Sequence, residues 1–172
     1  LPHADTVYVG GSFGSIGGET RACLAALDAT TGHATAWNPG ADGGVGALAL
    51  HGRTLYVGGG FYNIGGRFRR FLAELSLDSD SASIWSMNVD QSPPNWLFPP
   101  GVAELRIAGD RLYVGGRFTT IGGQQRNGLA AIDLQTRSVT AWAPAVIALS
   151  SVQPAQIDDM GPTDEIIRLR EE

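Results

Sequence analysis

Tyr113-Val-Gly-Gly-Arg-Phe-Thr-Thr-Ile-Gly-Gly-Gln-Gln-Arg126 is the third appearance of one pattern in this chain. The earlier two are Tyr8-Val-Gly-Gly-Ser-Phe-Gly-Ser-Ile-Gly-Gly-Glu-Thr-Arg21 and Tyr56-Val-Gly-Gly-Gly-Phe-Tyr-Asn-Ile-Gly-Gly-Arg-Phe-Arg69. Offsets of 48 and then 57 residues align Tyr8, Tyr56 and Tyr113, and also Leu24, Leu72 and Leu129, and Trp37, Trp85 and Trp142. Twelve of the thirty positions from Tyr to Trp are identical in all three copies, which chance does not produce. A period of roughly 40–50 residues belongs to propellers and related arrays.

Inside a unit the apolar residues recur with period two, the period of a strand. In the second unit Ala47-Leu-Ala-Leu50 reads as a first strand and His51-Gly-Arg53 as a tight turn. Thr54-Leu-Tyr-Val57 reads as a second strand, Phe71 to Leu77 as a third and Ser81 to Trp85 as a fourth. Asp78-Ser-Asp80 carries turn chemistry between the last two, as do Ala29-Thr-Thr-Gly32 and Gln135-Thr-Arg137 in the other units. Four short antiparallel strands per unit describe a propeller blade. The expectation is an all-β chain of about three such blades forming an incomplete ring, over units 6–39, 45–87 and 102–144 within a repeat region 1–149.

The fixed residues have roles in such a blade. The Gly pair after the second strand permits close backbone approach, the pair after Ile fits a turn with positive φ, and Trp is a plate sealing one blade against the next. One segment departs from the pattern. Trp37 to Tyr56 is 19 residues but Trp85 to Tyr113 is 28, so nine extra residues enter a Pro-rich loop between Asn88 and Pro100 that carries Trp96 and Phe98. After Trp142, Ala145 to Leu149 reads as the opening of another unit, and residues 150–172 as a tail, a linker or a short helix capped by Thr163.

Run as Leu-Tyr-Val-Gly-Gly-x-Phe-x-x-Ile-Gly-Gly-x-x-Arg-x-x-Leu-Ala-x-Leu-Asp and ending in Trp-Asn-Pro, the unit resembles the bacterial delta-sixty-type propeller repeat. The likeness covers about Thr6 to Leu149, with Tyr8 to Pro39 and Leu112 to Pro144 the best copies. The second unit departs, carrying Ser76 where the others have Asp28 and Asp133. The resemblance implies a kelch-like module of large secreted or surface-attached bacterial proteins, hence an extracellular or cell-surface location. It brings no catalytic residues with it.

Composition narrows the function classes. A net charge of −5 leaves no basic field for a phosphate backbone, so nucleic acid is not expected as a partner. One cysteine, Cys23, forms no intrachain disulfide and no cysteine metal cluster. At a strand position shared with Phe71 and Gly128, it reads as a buried small hydrophobe. No apolar run reaches the eighteen or so residues of a membrane span. The start Leu1-Pro-His-Ala-Asp5 has neither Met nor a signal pattern, and a processed chain or a piece of something longer is the expectation.

His3, His33 and His51 fall at unrelated places in the unit and lack metal-ligand spacing. The turn at Asp78 lacks the later ligands of a calcium loop. The stretch from Asn38 to Gly44 reads as a turn between blades whose Asp42 could join an ion site. The Gly pairs are not followed by the Lys of a phosphate loop. No catalytic residue, metal or cofactor is expected.

Two features point to binding. Arg21, Arg69 and Arg126 stand at one position in each unit, where a guanidinium either pairs carboxylates of a ligand or bonds carbonyls of its own blade. Trp96 and Phe98 sit on a loop the repeat does not require, and aromatics on such a loop mark recognition of a partner protein or a sugar face. The favoured function is a non-catalytic module binding protein or carbohydrate. The alternative is a non-catalytic part of a hydrolase or oxidoreductase whose active site lies outside this chain. Three blades cannot close a ring that uses four to eight. Further blades or a second chain would complete it, with further blades the preferred expectation.

Overall fold

The computed structural model describes residues 1–91 and 99–145, and every regular element in them is a strand. No helix among the described residues is long and apolar enough to cross a membrane. The first unit holds β1 (Pro2–His3), β2 (Thr6–Gly10), β3 (Ser15–Ile16), β4 (Glu19–Thr20) and β5 (Leu24–Asp28). The second holds β6 (Val45–His51), β7 (Thr54–Gly59), β8 (Asn63–Ile64), β9 (Arg67–Phe68), β10 (Leu72–Ser76) and β11 (Val89–Asp90). The third holds β12 (Gly101–Ala108), β13 (Arg111–Arg117), β14 (Thr120–Ile121), β15 (Gln124–Gln125), β16 (Leu129–Asp133) and β17 (Ser138–Val139).

Each unit is one antiparallel sheet with its middle strand on the Tyr-Val-Gly-Gly motif: β1-β2-β5, β6-β7-β10 and β12-β13-β16-β17. The inner strands β6 and β12 lie side by side, as blades do around an axis. The period-two pattern then divides each middle sheet between two cores. Leu55, Val57, Ala73 and Leu75 of the second unit face Tyr8, Leu24 and Ala26 of the first. Tyr56 and Leu72 face the opposite way, onto Leu112, Val114, Ala130 and Ile132 of the third. The hydrophobic core is therefore two layers between three blades.

The glycines that the motif repeats are explained by this crowding. A Cβ on Gly58 would run into the Val102 side chain, and one on Gly10 into that of Val45, so the sheets could not close. Gly65 takes φ +56 and packs against the backbone of Ala82, where an L side chain would have neither the conformation nor the space.

Three details differ from the sequence expectation. The fourth strand of the second unit is one bridge, Leu75 to Ala82, because the chain then turns so that Trp85 can enter the next interface. The third unit has a two-residue β17 there. A small hairpin, β3-β4, β8-β9 or β14-β15, stands between the second and third strands of every unit, folded about the second Gly pair. Cys23 is half-buried and lies ahead of its strand, at φ +62, with Phe71 at +64 and Gly128 at +77. That position is a left-handed corner, and its backbone rather than its side chain recurs. The expected strand from Ala145 and the tail 150–172 lie outside the described residues, apart from Ala145 itself.

The segments after Trp37 and Trp85 dock on the next unit. Val89 and Asp90 pair with Ile121 and Thr120, adding a third strand to the β14-β15 hairpin. Ala41 makes the matching bridge to Ile64. Tyr and Trp of one unit meet edge to face in all three copies, at centroid distances of 5.3, 5.7 and 5.2 Å. The indole then reaches across: Trp37 Nε1 donates to the Ser76 and Ser79 carbonyls at 3.2 and 3.1 Å, and Trp85 Nε1 to the Arg137 carbonyl at 3.5 Å.

Candidate functional site

A cleft of about 370 Å³ opens where the inner strands begin and all three units converge. Its walls are the starts of β6 and β12 and the ends of the three motif strands. Backbone bonds tie these walls together, Val45 N to Gly11 O at 3.0 Å and Gly60 N to Gly44 O at 2.8 Å. Both inner strands carry a bulge at the same place, between Val45 and Ala47 and between Val102 and Glu104. Gly44 and Gly101, one residue ahead of Val45 and Val102, are thus equivalent positions of the two units.

Three of the lining residues are one position of the repeat. Ser12, Gly60 and Arg117 each follow the second glycine of Tyr-Val-Gly-Gly and precede the Phe. Their neighbours are identical in every unit, yet these three differ in size, polarity and charge. Among the described lining residues Arg117 is the one ionisable side chain. The cleft thus offers a cation, a hydroxyl, backbone groups and apolar walls from Val45, Val102 and Pro100.

The last two residues of the nine-residue insertion stand at this mouth. Counting from Trp, Asp42 matches Asp90 and Gly43 matches Gln91, while Gly44 matches Gly101, so residues 92–100 are the extra ones. Pro99 and Pro100, where the loop rejoins the blade, form part of the cleft wall. Trp96 and Phe98 themselves lie outside the described residues. The insertion was visible as a break in spacing, but the place of Pro99 and Pro100 at the convergence of the blades needed the structure.

Arg21, Arg69 and Arg126 are elsewhere. Each donates one guanidinium nitrogen to the carbonyl of the residue before it, at 2.8, 2.6 and 2.6 Å. The other terminal nitrogen goes to a carbonyl fourteen residues on, Thr35, Ser83 or Thr140, at 2.7, 2.5 and 2.6 Å. Each therefore ties its small hairpin to the segment leading into its own Trp, and none of the three lines the cleft. Position Ser12/Gly60/Arg117 was missed in the sequence because it varies; the signal was one changing residue inside a run that is otherwise fixed.

Three aspartates are engaged in turns or between units. Asp28 accepts from the Thr31 and Thr30 amides at 2.7 and 3.0 Å and from the Thr31 hydroxyl, and these bonds, the Thr31 amide foremost, hold its carboxyl below the usual range. Asp133 does the same with Thr136 and Gln135. Asp42 bridges two units, taking the Tyr62 and Asn63 amides at 2.8 Å and the Asn63 side chain at 2.6 Å. Burial pushes its pKa up, but the Asn63 and Tyr62 bonds outweigh that and leave it lowered. Its role is a clasp between blades. Among the described residues no three His, Cys, Asp or Glu side chains gather as a metal site would require.

Known families bear on the third unit. Residues 110–130, covering β13 to the start of β16, match the family model described as Domain of unknown function (DUF5122) beta-propeller. No curated protein matches the chain. The chain is an all-β array of propeller repeats.

Proposed function

We propose that this chain is a non-catalytic binding module of a larger secreted or surface-attached protein, of the kelch-like delta-sixty type, taking a protein or glycan ligand at the axial cleft. The observation that carries the reading is the cleft's make-up. The one position that varies within the Tyr-Val-Gly-Gly-x-Phe run is the one that converges there, and the one long insertion rejoins the chain in its wall. Packing explains constancy and recognition explains variation at a shared mouth. Trp96 and Phe98 are proposed as ligand contacts on the sequence argument, since nothing in the repeat calls for them. Arg21, Arg69 and Arg126 are left to blade packing, because their terminal nitrogens are already bonded to carbonyls.

Further blades in the same chain are proposed to continue the ring. Trp37 and Trp85 each donate into the following unit, and the Tyr113–Trp142 pair has the geometry to do the same. The test of function is a binding screen of the purified chain against immobilised glycans and an extracellular protein library, run beside a Gly46→Leu variant. Gly46 lines the cleft, and a Cβ there would meet only ordinary contacts, so the variant fills the cleft without disturbing the sheet. A ligand captured by the parent and lost by the variant is expected. Ligands indifferent to Gly46→Leu, or turnover of a broad hydrolase panel, would sink the reading.

A further inference from the structure

We propose that the axial cleft holds a carboxylate of an acidic peptide segment, with Arg117 pairing the carboxylate, Ser12 adding a hydroxyl and Gly60 leaving the space it occupies. The inference rests on the binding-module reading and names the ligand class for that same site.

Gly60 supplies the first argument. Its neighbours Gly58 and Gly59 are glycine because a Cβ would collide, with the Val102 side chain and with the Gly44 carbonyl. Gly60 has no such reason. Its φ is outside the left-handed region, a Cβ there would meet nothing within 4 Å, and the residue is exposed at the cleft. The equivalent residues are Ser12 and Arg117, so the backbone at this position accepts side chains of any length. An unforced glycine at the wall of a cleft keeps room there. Beside it the reverse holds at Gly44, where a Cβ would sit 2.7 Å from Ser12 Oγ. Gly44 is small so that the Ser12 hydroxyl can occupy that wall.

Arg117 decides the charge of the ligand. It ends β13 at the cleft, and in a chain of net charge −5 it is the one cation among the described lining residues. A guanidinium carries five N–H donors in a planar fork, so it can serve a protein partner and still present an edge to a carboxylate. The remaining wall is glycine, proline, valine and alanine. The described lining residues carry no aromatic ring, and Trp96 and Phe98 lie outside them, so peptide and acidic sugar are told apart by the test below. Low, backbone-rich walls let an extended peptide approach closely. A cleft of about 370 Å³ is at the small end of ligand sites, which run from about 300 to 1,000 Å³, and suits one acidic side chain with its adjoining backbone.

The test uses a fluorescein-labelled hexaglutamate peptide with blocked ends, a hexaglutamine twin and an oligoglucuronate, read by anisotropy at about 0.15 M salt. Hexaglutamate is expected to bind at least about tenfold tighter than either control, since a charge-assisted pair is worth that much or more. Arg117→Gln should remove that advantage and Arg117→Lys should keep part of it, while Arg106→Gln, on the same sheet outside the cleft, should change affinity less than about twofold. Gly60→Leu should abolish binding with an unchanged thermal midpoint, which separates occupancy from unfolding. Equal binding of the glutamine peptide, binding untouched by Arg117→Gln or Gly60→Leu, or oligoglucuronate binding as tightly as the peptide would overturn the inference. If none of the probes binds but a screened ligand is lost in Gly60→Leu, the carboxylate inference fails while the binding module stands. If no ligand of any kind responds to that variant, both fall.

Discussion

The junction between the first and second units and the junction between the second and third use the same repeat positions with different chemistry. At the first, polar groups reach out to backbone. Trp37 donates to two carbonyls, the Asn38 amide to Asp80 Oδ1 at 2.8 Å, and the Asp42 carboxylate accepts two amides of the next unit. At the second, Trp85 has one long bond, and an ion pair and a strand ladder take over. Arg137 reaches back to both carboxylate oxygens of Glu74, at 2.6 and 2.8 Å. Asp80 and Arg137 are one position of the turn, the fourth after Ser76 and Asp133, and Gly32 is their counterpart in the first unit. The turn position that is Gly32 in the first unit has become, twice, the contact to the preceding blade. Arg137 does this at φ +58, a conformation Gly32 takes at +71 without strain.

The largest separation of the two junctions should come from Phe71. Its corner position is left-handed in every unit, but in the second unit the ring is 1 % exposed and belongs to the core shared with the third. Phe71→Gly relieves the backbone and deletes a fully buried ring, and the packing loss dominates. A cost of about 3–4 kcal/mol is expected in urea unfolding. A cost under about 1 kcal/mol would mean that the corner, not the ring, matters there.

Next is the Glu74–Arg137 pair. Glu74 is 6 % exposed at a position where the other units place Ala26 and Ala131. Arg137→Ala would leave a buried carboxylate without its cation, while Arg137 itself is half exposed, so a cost of about 2 kcal/mol is expected. The double variant Glu74→Ala with Arg137→Ala removes both charges and gives position 74 the alanine of the other units, and should recover to within about 1 kcal/mol of the parent. Additive losses would mean that the two side chains contribute independently and that their pairing is not what the single variant loses. Burial foremost, with Glu74 beside it, pushes the Tyr56 hydroxyl up to about 12. A raised value means that this phenol's contribution is complete below the unfolded pKa near 10 and is lost as pH climbs through the folded one.

Smaller again is the clasp. Asp42→Ala should cost about 1 kcal/mol, because two amides of the hairpin lose their acceptor. Asp90→Ala, the equivalent change at the second junction, should cost about half of that. Asp90 receives Thr119 N on its backbone carbonyl at 2.8 Å, a bond no side-chain change removes, and its carboxylate forms only a half-exposed pair with Arg70. The folded pKa of Asp42 lies below the unfolded value, so its contribution is present above about pH 4 and disappears as pH falls through the depressed folded value. Thermal melts at about pH 6 and pH 2 should therefore show the gap between parent and Asp42→Ala closing in acid. A gap that persists at low pH would assign the effect to something other than the carboxylate.

What the sequence made legible follows from what repeats. Strand positions, Gly pairs and the Trp plate recur because every blade meets its neighbour through the same contacts, so three copies read each other. The short hairpin about Gly65-Gly66 was not legible, since two-residue strands have no hydrophobic period to show. Glu74 looked like an ordinary charge on an alternating strand; only the other unit's Arg137 gives it a reason to be buried. The cleft was hidden for the opposite cause. Ser12, Gly60 and Arg117 share no residue type, and what joins them is the convergence of three strand ends on one axis.

The smallest effect belongs to Cys23, the counterpart of Phe71 in the first unit. The backbone makes the same two bonds at all three corners. Cys23 N donates to Phe13 O at 2.9 Å and its carbonyl accepts Gly11 N at 3.0 Å; Phe71 and Gly128 repeat both within 0.1 Å. A non-glycine residue in this conformation costs about 1 kcal/mol, and glycine returns most of that as extra freedom of the unfolded chain. The Cys23 side chain is only half-buried against the core between the first two units, so little packing is lost with it. Cys23→Gly is therefore expected within about 0.5 kcal/mol of the parent, a thermal shift of no more than about 2 °C. Cys23→Val keeps the bulk and adds a β-branch at positive φ, and should cost about 1–2 kcal/mol. If the valine variant were as stable as the glycine one, side-chain bulk and not the left-handed corner would govern this position, and the contrast with Phe71 would lose its basis.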